Sequence, residues 1–347
     1  LPRPGGRPRF GRFRGAEEQA LDHGYVVLFA PEGAYTGQLT AELWPHGSPA
    51  VLAALVETAI DLGAEPAGPG EFTYRALRSG RLDLARAEAV RDLVHARTLY
   101  QARVAFAQAE GAVSERVGPL GEMLEEWIAR AEAAVEFVDE SETRLPAGSF
   151  AAAIEGAGSA CRELLAGFRT GRLVRDGAAL VIVGRPNAGK SSLFNRLLAR
   201  ERAIVTEIAG TTRDTLEEQL DLDGIPVRLV DTAGLRRVED PVEVEGVRRT
   251  RQAREEADLV LLVLDGSRDP DPAELAEAER AREESGAGRT VAVVNKCDLE
   301  RSREGRSPVP DLLRVSALTG EGVDELRGAL RRCLVGAGPL EDPIITD

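Results

Sequence analysis

Residues Gly184-Arg-Pro-Asn-Ala-Gly189-Lys190-Ser191 fit the pattern G-x-x-x-x-G-K-[ST], between an apolar run at 179–183 and a helical stretch at 192–198. Strand, glycine-rich loop and helix in that order build a phosphate cradle. The glycines let backbone N–H groups wrap around phosphates, and the helix N-terminus adds its positive dipole end. Lys190 is expected to reach the outer phosphates and Ser191 a magnesium ion. Apolar runs of strand length recur at 227–230, 258–264, 290–294 and 312–315, separated by helical segments. They predict buried strands of a mostly parallel sheet with helices on both faces, an α/β fold whose ligands sit at the carboxyl ends of the strands.

The remaining motifs fall at those ends. Asp231-Thr232-Ala233-Gly234 follows the second run, where a carboxylate holds magnesium through water and a glycine amide senses the γ-phosphate. Thr211-Thr212 lies between the two phosphate motifs, and one hydroxyl there, Thr212 by preference, closes on the metal. Asn295-Lys296-Cys297-Asp298 ends another strand. Asp298 can accept hydrogen bonds from the N1–H and exocyclic amine of guanine, which adenine does not offer, so the site selects GTP over ATP. Ser316-Ala317-Leu318 adds a backbone contact to the guanine O6. In GTPases of the Ras type a glutamine follows the Asp-x-x-Gly motif and orients the attacking water. Leu235 stands in its place and cannot hydrogen-bond.

At 347 residues the chain exceeds one ordinary core. Residues 25–93 alternate short apolar runs with Gly/Pro punctuation and one helix at 49–62, the pattern of a small α+β domain. Residues 85–137 read as long helices, and a second helical stretch spans 150–168. Residues 171–177 read as a short connector. Five arginines, Arg3, Arg7, Arg9, Arg12 and Arg14, open the chain among Pro and Gly, a segment that grips phosphate or stays solvated. The net charge of −14 excludes general coating of nucleic acid, which depends on Lys and Arg. Three cysteines, Cys161, Cys297 and Cys333, at spacings suited neither to zinc nor to disulfides, fit a reducing compartment and predict a cytoplasmic protein.

Asn187, the segment Thr206-Glu207-Ile208-Ala209-Gly210-Thr211-Thr212-Arg213-Asp214 and Asp231-Thr-Ala-Gly-Leu-Arg236 together resemble the TrmE/Era/EngA group of GTPases. Upstream, Ala34-Tyr-Thr-Gly37, Glu42-Leu-Trp-Pro-His46-Gly47, Pro69-Gly-Glu-Phe-Thr-Tyr-Arg75-Ala76 and Gly80-Arg81-Leu-Asp-Leu84 resemble the N-terminal domain of the TrmE (MnmE) family of tRNA-modification GTPases. The match runs from about Asp22 to Asp347. It implies a homodimer that acts with the flavoprotein MnmG on the wobble uridine of tRNA, installing carboxymethylaminomethyl-type groups. It also implies potassium held by Asn187, Thr206, Ile208 and Thr211 in place of an arginine finger, and a water-positioning glutamate at Glu243. Glu245 is its neighbour, and spacing alone does not choose between them.

For the N-terminal domain the resemblance implies a formyl-tetrahydrofolate site with Glu42 and Arg81 at the matching positions. The nucleotide set is then Asn187, Ala188, Gly189, Lys190, Ser191, Ser192, residues 206–212, residues 231–234, Asn295, Lys296, Asp298, Ser316, Ala317 and Leu318. Asn187, Lys190 and Glu243 carry catalysis, and Ser191 and Thr212 hold magnesium. The expected organisation is a small folate-binding-like α+β domain at 1–93 and the first part of a helical domain at 94–175. A P-loop GTPase domain at 176–336 is inserted into it, and the helical domain resumes at 337–347. Against the family pattern the chain reads as cut at both ends, lacking a C-terminal Cys-Ile-Gly-Lys type segment, which would leave GTP turnover without tRNA modification. The competing reading is an Era-like GTP-switched RNA-binding module, disfavoured because the distinctive domain precedes the GTPase motifs.

Overall fold

A computed structural model describes residues 5, 7–137, 147–200, 219–230, 257–283, 288–299, 312–336 and 346. They fall into two compact units, Leu1–Arg91 with Gln108–Gly111, and Asp92–Ala107 with Ala112–Asp347.

The first unit is built on a three-stranded antiparallel sheet in the order β1-β2-β3, with β1 at Arg9–Arg14, β2 at Ala20–Phe29 and β3 at Thr40–Trp44. The arginine-rich opening is therefore not a solvated tail over 9–14. Pairing decides this, because β1 runs antiparallel against β2 and Phe13 is buried opposite Asp22 while the arginines around it stay exposed. Helices α1 (Pro49–Asp61), α2 (Glu71–Arg78) and α3 (Leu84–His95) follow. Gly24 is required where β2 meets the exit of β3, since a Cβ there would lie 2.1 Å from the Trp44 carbonyl oxygen. That close approach lets the His46 backbone N–H reach the Asp22 carboxylate at 2.7 Å. The amides of His46 and His23 hold the Asp22 pKa down at about 2.

Helices α4 (Leu99–Glu110), α5 (Ala112–Glu136), α6 (Ala147–Ala166) and α7 (Phe168–Asp176) lead into a six-stranded mixed sheet. Residues 171–177, read from the sequence as a connector, are instead the end of α7 and its Gly177 cap. Burial of Leu173 and Val174 against the sheet outweighs the helix-breaking tendency of Gly171, and Gly177 stops the helix at φ +80°. The sheet order is β5-β6-β4-β7-β8-β9, from β4 (Ala178–Val183), β5 (Gln219–Leu222), β6 (Ile225–Leu229), β7 (Leu259–Asp265), β8 (Thr290–Asn295) and β9 (Leu313–Arg314). All neighbours are parallel except the β5–β6 hairpin. Only β5 was not anticipated, because Gln219-Leu-Asp-Leu222 is short and half polar, as an edge strand is.

Helices α8 (Lys190–Arg200), α9 (Pro272–Glu283) and α10 (Val323–Val335) cover the sheet. Two apolar clusters result. One joins Leu193 and Leu197 of α8, Leu326 and Leu330 of α10 and Leu173 to Leu180, Leu259, Leu261 and Val293. The other joins Ala278 of α9 to Val181, Val260, Leu262 and Val294. Residues alternating along β4, β7 and β8 thus feed opposite faces, which is why these strands read as unbroken apolar runs. Residues before the sheet also enter its core: Val104 belongs to the first cluster, the Thr98 hydroxyl donates to the Gly224 carbonyl at 2.7 Å, and the Gln101 amide donates to the Val174 carbonyl at 2.6 Å.

Candidate nucleotide site

The loop between β4 and α8 is shaped by three residues with left-handed or related backbone: Gly184 at φ +141°, Asn187 at 65° and Gly189 at +87°. A Cβ on Gly184 would lie 2.3 Å from the Val263 carbonyl oxygen of β7, and one on Gly189 would lie 2.2 Å from Asn295 Nδ2. Both positions are closed to larger residues by neighbouring backbone or by a buried amide. Lys190 opens α8, and its ammonium donates to the Gly184 and Arg185 carbonyls, each at 2.8 Å. Burial pushes its pKa below the ordinary 10.5. A desolvated cation whose partners among the described residues are the loop's own carbonyls is suited to anionic oxygens, which fits a polyphosphate. Ser191 and Ser192 follow on the exposed side of the first turn, and Ala188 is buried beneath the loop.

Asn295 ends β8 and is 1% exposed. Its amide donates to the Ala188 carbonyl at 2.9 Å and its side-chain oxygen accepts from the Ala317 N–H at 3.1 Å. One side chain therefore ties the phosphate loop to the loop after β9. Lys296 has φ 66°, a costly backbone for a side-chain-bearing residue, and its ammonium pairs with Asp265 at 2.7 Å. Burial raises the Asp265 pKa, but hydrogen bonds from Lys296 and Ser267 outweigh it and leave the carboxyl below its usual range. Ser316 donates to Asp298 Oδ1 at 2.6 Å, fixing the plane of that carboxylate. Arg196 of α8 donates to the Ala317 carbonyl at 2.9 Å and to that of Leu318, whose side chain is exposed.

The structure thus brings Asn187, Ala188, Gly189, Lys190, Asn295, Lys296, Asp298, Ser316, Ala317 and Leu318 to adjacent strand ends. The expected contributions of Thr206, Glu207, Ile208, Ala209, Gly210, Thr211, Thr212, Asp231, Thr232, Ala233, Gly234, Glu243 and Glu245 lie outside the described residues. Sequence reasoning missed Asp265 and Arg196. Asp265 carried a signal, an acid ending an apolar strand ahead of Gly266. Arg196 carried none, since its role depends on the loop that α8 faces.

In the first unit, Glu42 on β3 accepts from the Trp44 indole N–H at 2.9 Å. Arg81 donates to the Pro31 carbonyl at 2.7 Å and to that of Glu32. Both are exposed and opposite in charge. No helix among the described residues is long and apolar enough to cross a membrane.

Residues 179–296 match the family model described as 50S ribosome-binding GTPase, and residues 5–81 match that described as GTP-binding protein TrmE N-terminus. The tRNA modification GTPase MnmE of Koribacter versatilis is 44% identical over 331 residues, covering 93% of this chain and 71% of that protein. That of Aquifex aeolicus is 42% identical over 327 residues, covering 92% and 71%. That of Xanthomonas campestris pv. campestris is 42% identical over 330 residues, covering 95% and 73%.

Proposed function

Since this chain belongs to the MnmE family of tRNA modification GTPases, we propose that it is a potassium-activated GTP hydrolase working as a homodimer with MnmG on the wobble uridine of tRNA in the cytoplasm. The observation that carries the nucleotide reading is the double tether of Asn295 to Ala188 and Ala317. It makes one rigid seat from the phosphate loop and the base loop.

In this reading the phosphate-loop amides and Lys190 bind the β- and γ-phosphates, and Ser191 and Thr212 present hydroxyls to magnesium. Asp298, oriented by Ser316, reads guanine, while the Ala317 region meets O6. Glu243 orients the attacking water where Leu235 cannot. The magnesium and potassium ions, when bound, supply positive charge where the transition state spreads negative charge. Asn187, with Thr206, Ile208 and Thr211, forms the potassium cage, and its left-handed backbone at the exposed tip of the loop suits that placement. In the first unit, Glu42 and Arg81 fit the amino-pyrimidine edge and the glutamate tail of a formyl-tetrahydrofolate. The arrangement of domains we propose is a folate-binding-like domain at 1–93, helices at 94–175 and 337–347, and the GTPase domain at 176–336 inserted between them.

Hydrolysis is expected to run faster in potassium than in sodium at equal ionic strength, because sodium is too small for the same cage. Asn187→Ala is expected to abolish the difference while GTP remains preferred to ATP. Equal rates in the two salts for the parent chain would remove the cation from the mechanism. Mass spectrometry of the wobble nucleoside, after incubation of the chain with MnmG, folate, glycine, GTP and unmodified tRNA, tests the pathway separately.

A further inference from the structure

Away from the nucleotide site, Asp22, His23 and His46 bring one carboxylate oxygen and two imidazole nitrogens within 4.8 Å of one another. The Asp22 Oδ1 atom lies 2.9 Å from His46 Nδ1 and 3.7 Å from His23 Nδ1. For an ion bound at about 2.1 Å, neighbouring donors of a tetrahedron stand roughly 3.4 Å apart. The two carboxylate–imidazole separations bracket that value and the imidazole nitrogens lie within 4.8 Å of each other, so closing the set requires the exposed rings to turn toward a common point.

The cluster is held in place by groups that a metal would leave undisturbed. Asp22 is 11% exposed at its side chain, and its other oxygen accepts the His46 backbone N–H at 2.7 Å, an approach that Gly24 permits. That oxygen anchors the carboxylate and leaves Oδ1 facing the imidazoles. The His23 ring packs edge-on against Phe10 at 5.4 Å and against His46 at 5.0 Å, so both rings stand close together on one side of the sheet. The His23 and His46 side chains are 56% and 67% exposed, which leaves an ion accessible from water and its remaining coordination positions open to solvent.

We propose that Asp22, His23 and His46 form a binding site for a divalent transition-metal ion of the zinc, nickel or copper kind, separate from the magnesium of the nucleotide site. Two imidazoles with one carboxylate select these borderline ions over magnesium or calcium, which favour all-oxygen shells. The ion joins β2 to the segment after β3 and braces the sheet.

The chain has three histidines, and the third, His95, lies outside the cluster, so each can be tested alone. The full chain, with cysteines capped and the nucleotide site saturated with magnesium and GDP, is titrated with zinc against a chromophoric chelator. One equivalent is expected to bind the parent and the His95→Ala variant alike. His23→Ala and His46→Ala are each expected to weaken binding at least tenfold, and zinc is expected to raise the melting temperature of the parent alone among these three. Imidazole resonances of the parent, assigned through the variants, are expected to shift for His23 and His46 and not for His95. Absence of zinc binding by the parent, equal binding by the His23 and His46 variants, or a zinc-induced shift confined to His95 would each overturn the site.

Discussion

Asn295 satisfies an acceptor and a donor on two different loops while almost wholly buried, so its loss strands both partners. Asn295→Ala is expected to cost about 1–3 kcal/mol of stability and to weaken GTP binding, since leaving buried polar groups unpaired costs that much. Denaturant titration and nucleotide titration on the same variant check it. A loss of affinity with unchanged stability would mean that the asparagine meets the nucleotide rather than the loops. Asp265 gives a pH signature. Its folded pKa lies below the unfolded value of about 3.9, so its contribution is fully present above that value and lost as pH falls through the folded pKa. The stability gap between the parent and Asp265→Asn should therefore be constant near neutrality and shrink below about pH 4. A gap that persists unchanged to pH 3 would deny the carboxylate its charged partner.

At the scale of elements, β4 and β7 approach so closely at Gly184 that no side chain fits. Gly184→Ala would press a methyl group onto the Val263 carbonyl at a backbone angle that only glycine adopts readily. Loss of folding, or a melting temperature several degrees lower, is expected by circular dichroism, with phosphate binding reduced in whatever remains folded. Wild-type stability in this variant would mean that the strands separate at no cost. The parallel strands were legible in the sequence because apolar runs such as Leu259–Asp265 are buried on both faces and need no alternation to be recognised. The phosphate loop was legible because its glycines have a steric necessity that spacing alone conveys. What escaped was whatever depends on neighbours distant in sequence. The end of α7 is helical because Leu173 and Val174 find a core, β5 exists because β6 pairs with it, and the Asp22, His23 and His46 cluster forms only once Gly24 lets two strands close.

At the scale of the whole molecule, the residues proposed for the nucleotide site all belong to the second unit, so GTP is expected to add its binding free energy to the stability of that unit, about 2.7 kcal/mol at a hundredfold excess over Kd. Hydrogen exchange with and without nucleotide should show protection at 184–192, 295–298 and 316–320, and none in β1 to β3. Equal protection of β1 to β3 would mean that the nucleotide steadies both units together. The same unit has a second property, visible in Thr98, Gln101 and Val104, which precede the sheet by seventy or more residues and still complete its packing. Gly224, at φ +100°, turns the β5–β6 hairpin against Tyr100, where a Cβ would come within 2.6 Å of the ring-bearing carbon. A gene cut at Asp176 would look clean on paper, because the motifs lie downstream of it. The excised module would carry an open seam, with Val174 removed and the hairpin turn stripped of its cover. A piece beginning at Asp92 should melt well above one beginning at Asp176, by on the order of 3 kcal/mol or more in unfolding free energy. Modularity in this chain is expected to follow the packing of its walls, and the proposed boundary at 176 is one that the contacts of Thr98, Gln101 and Val104 cross.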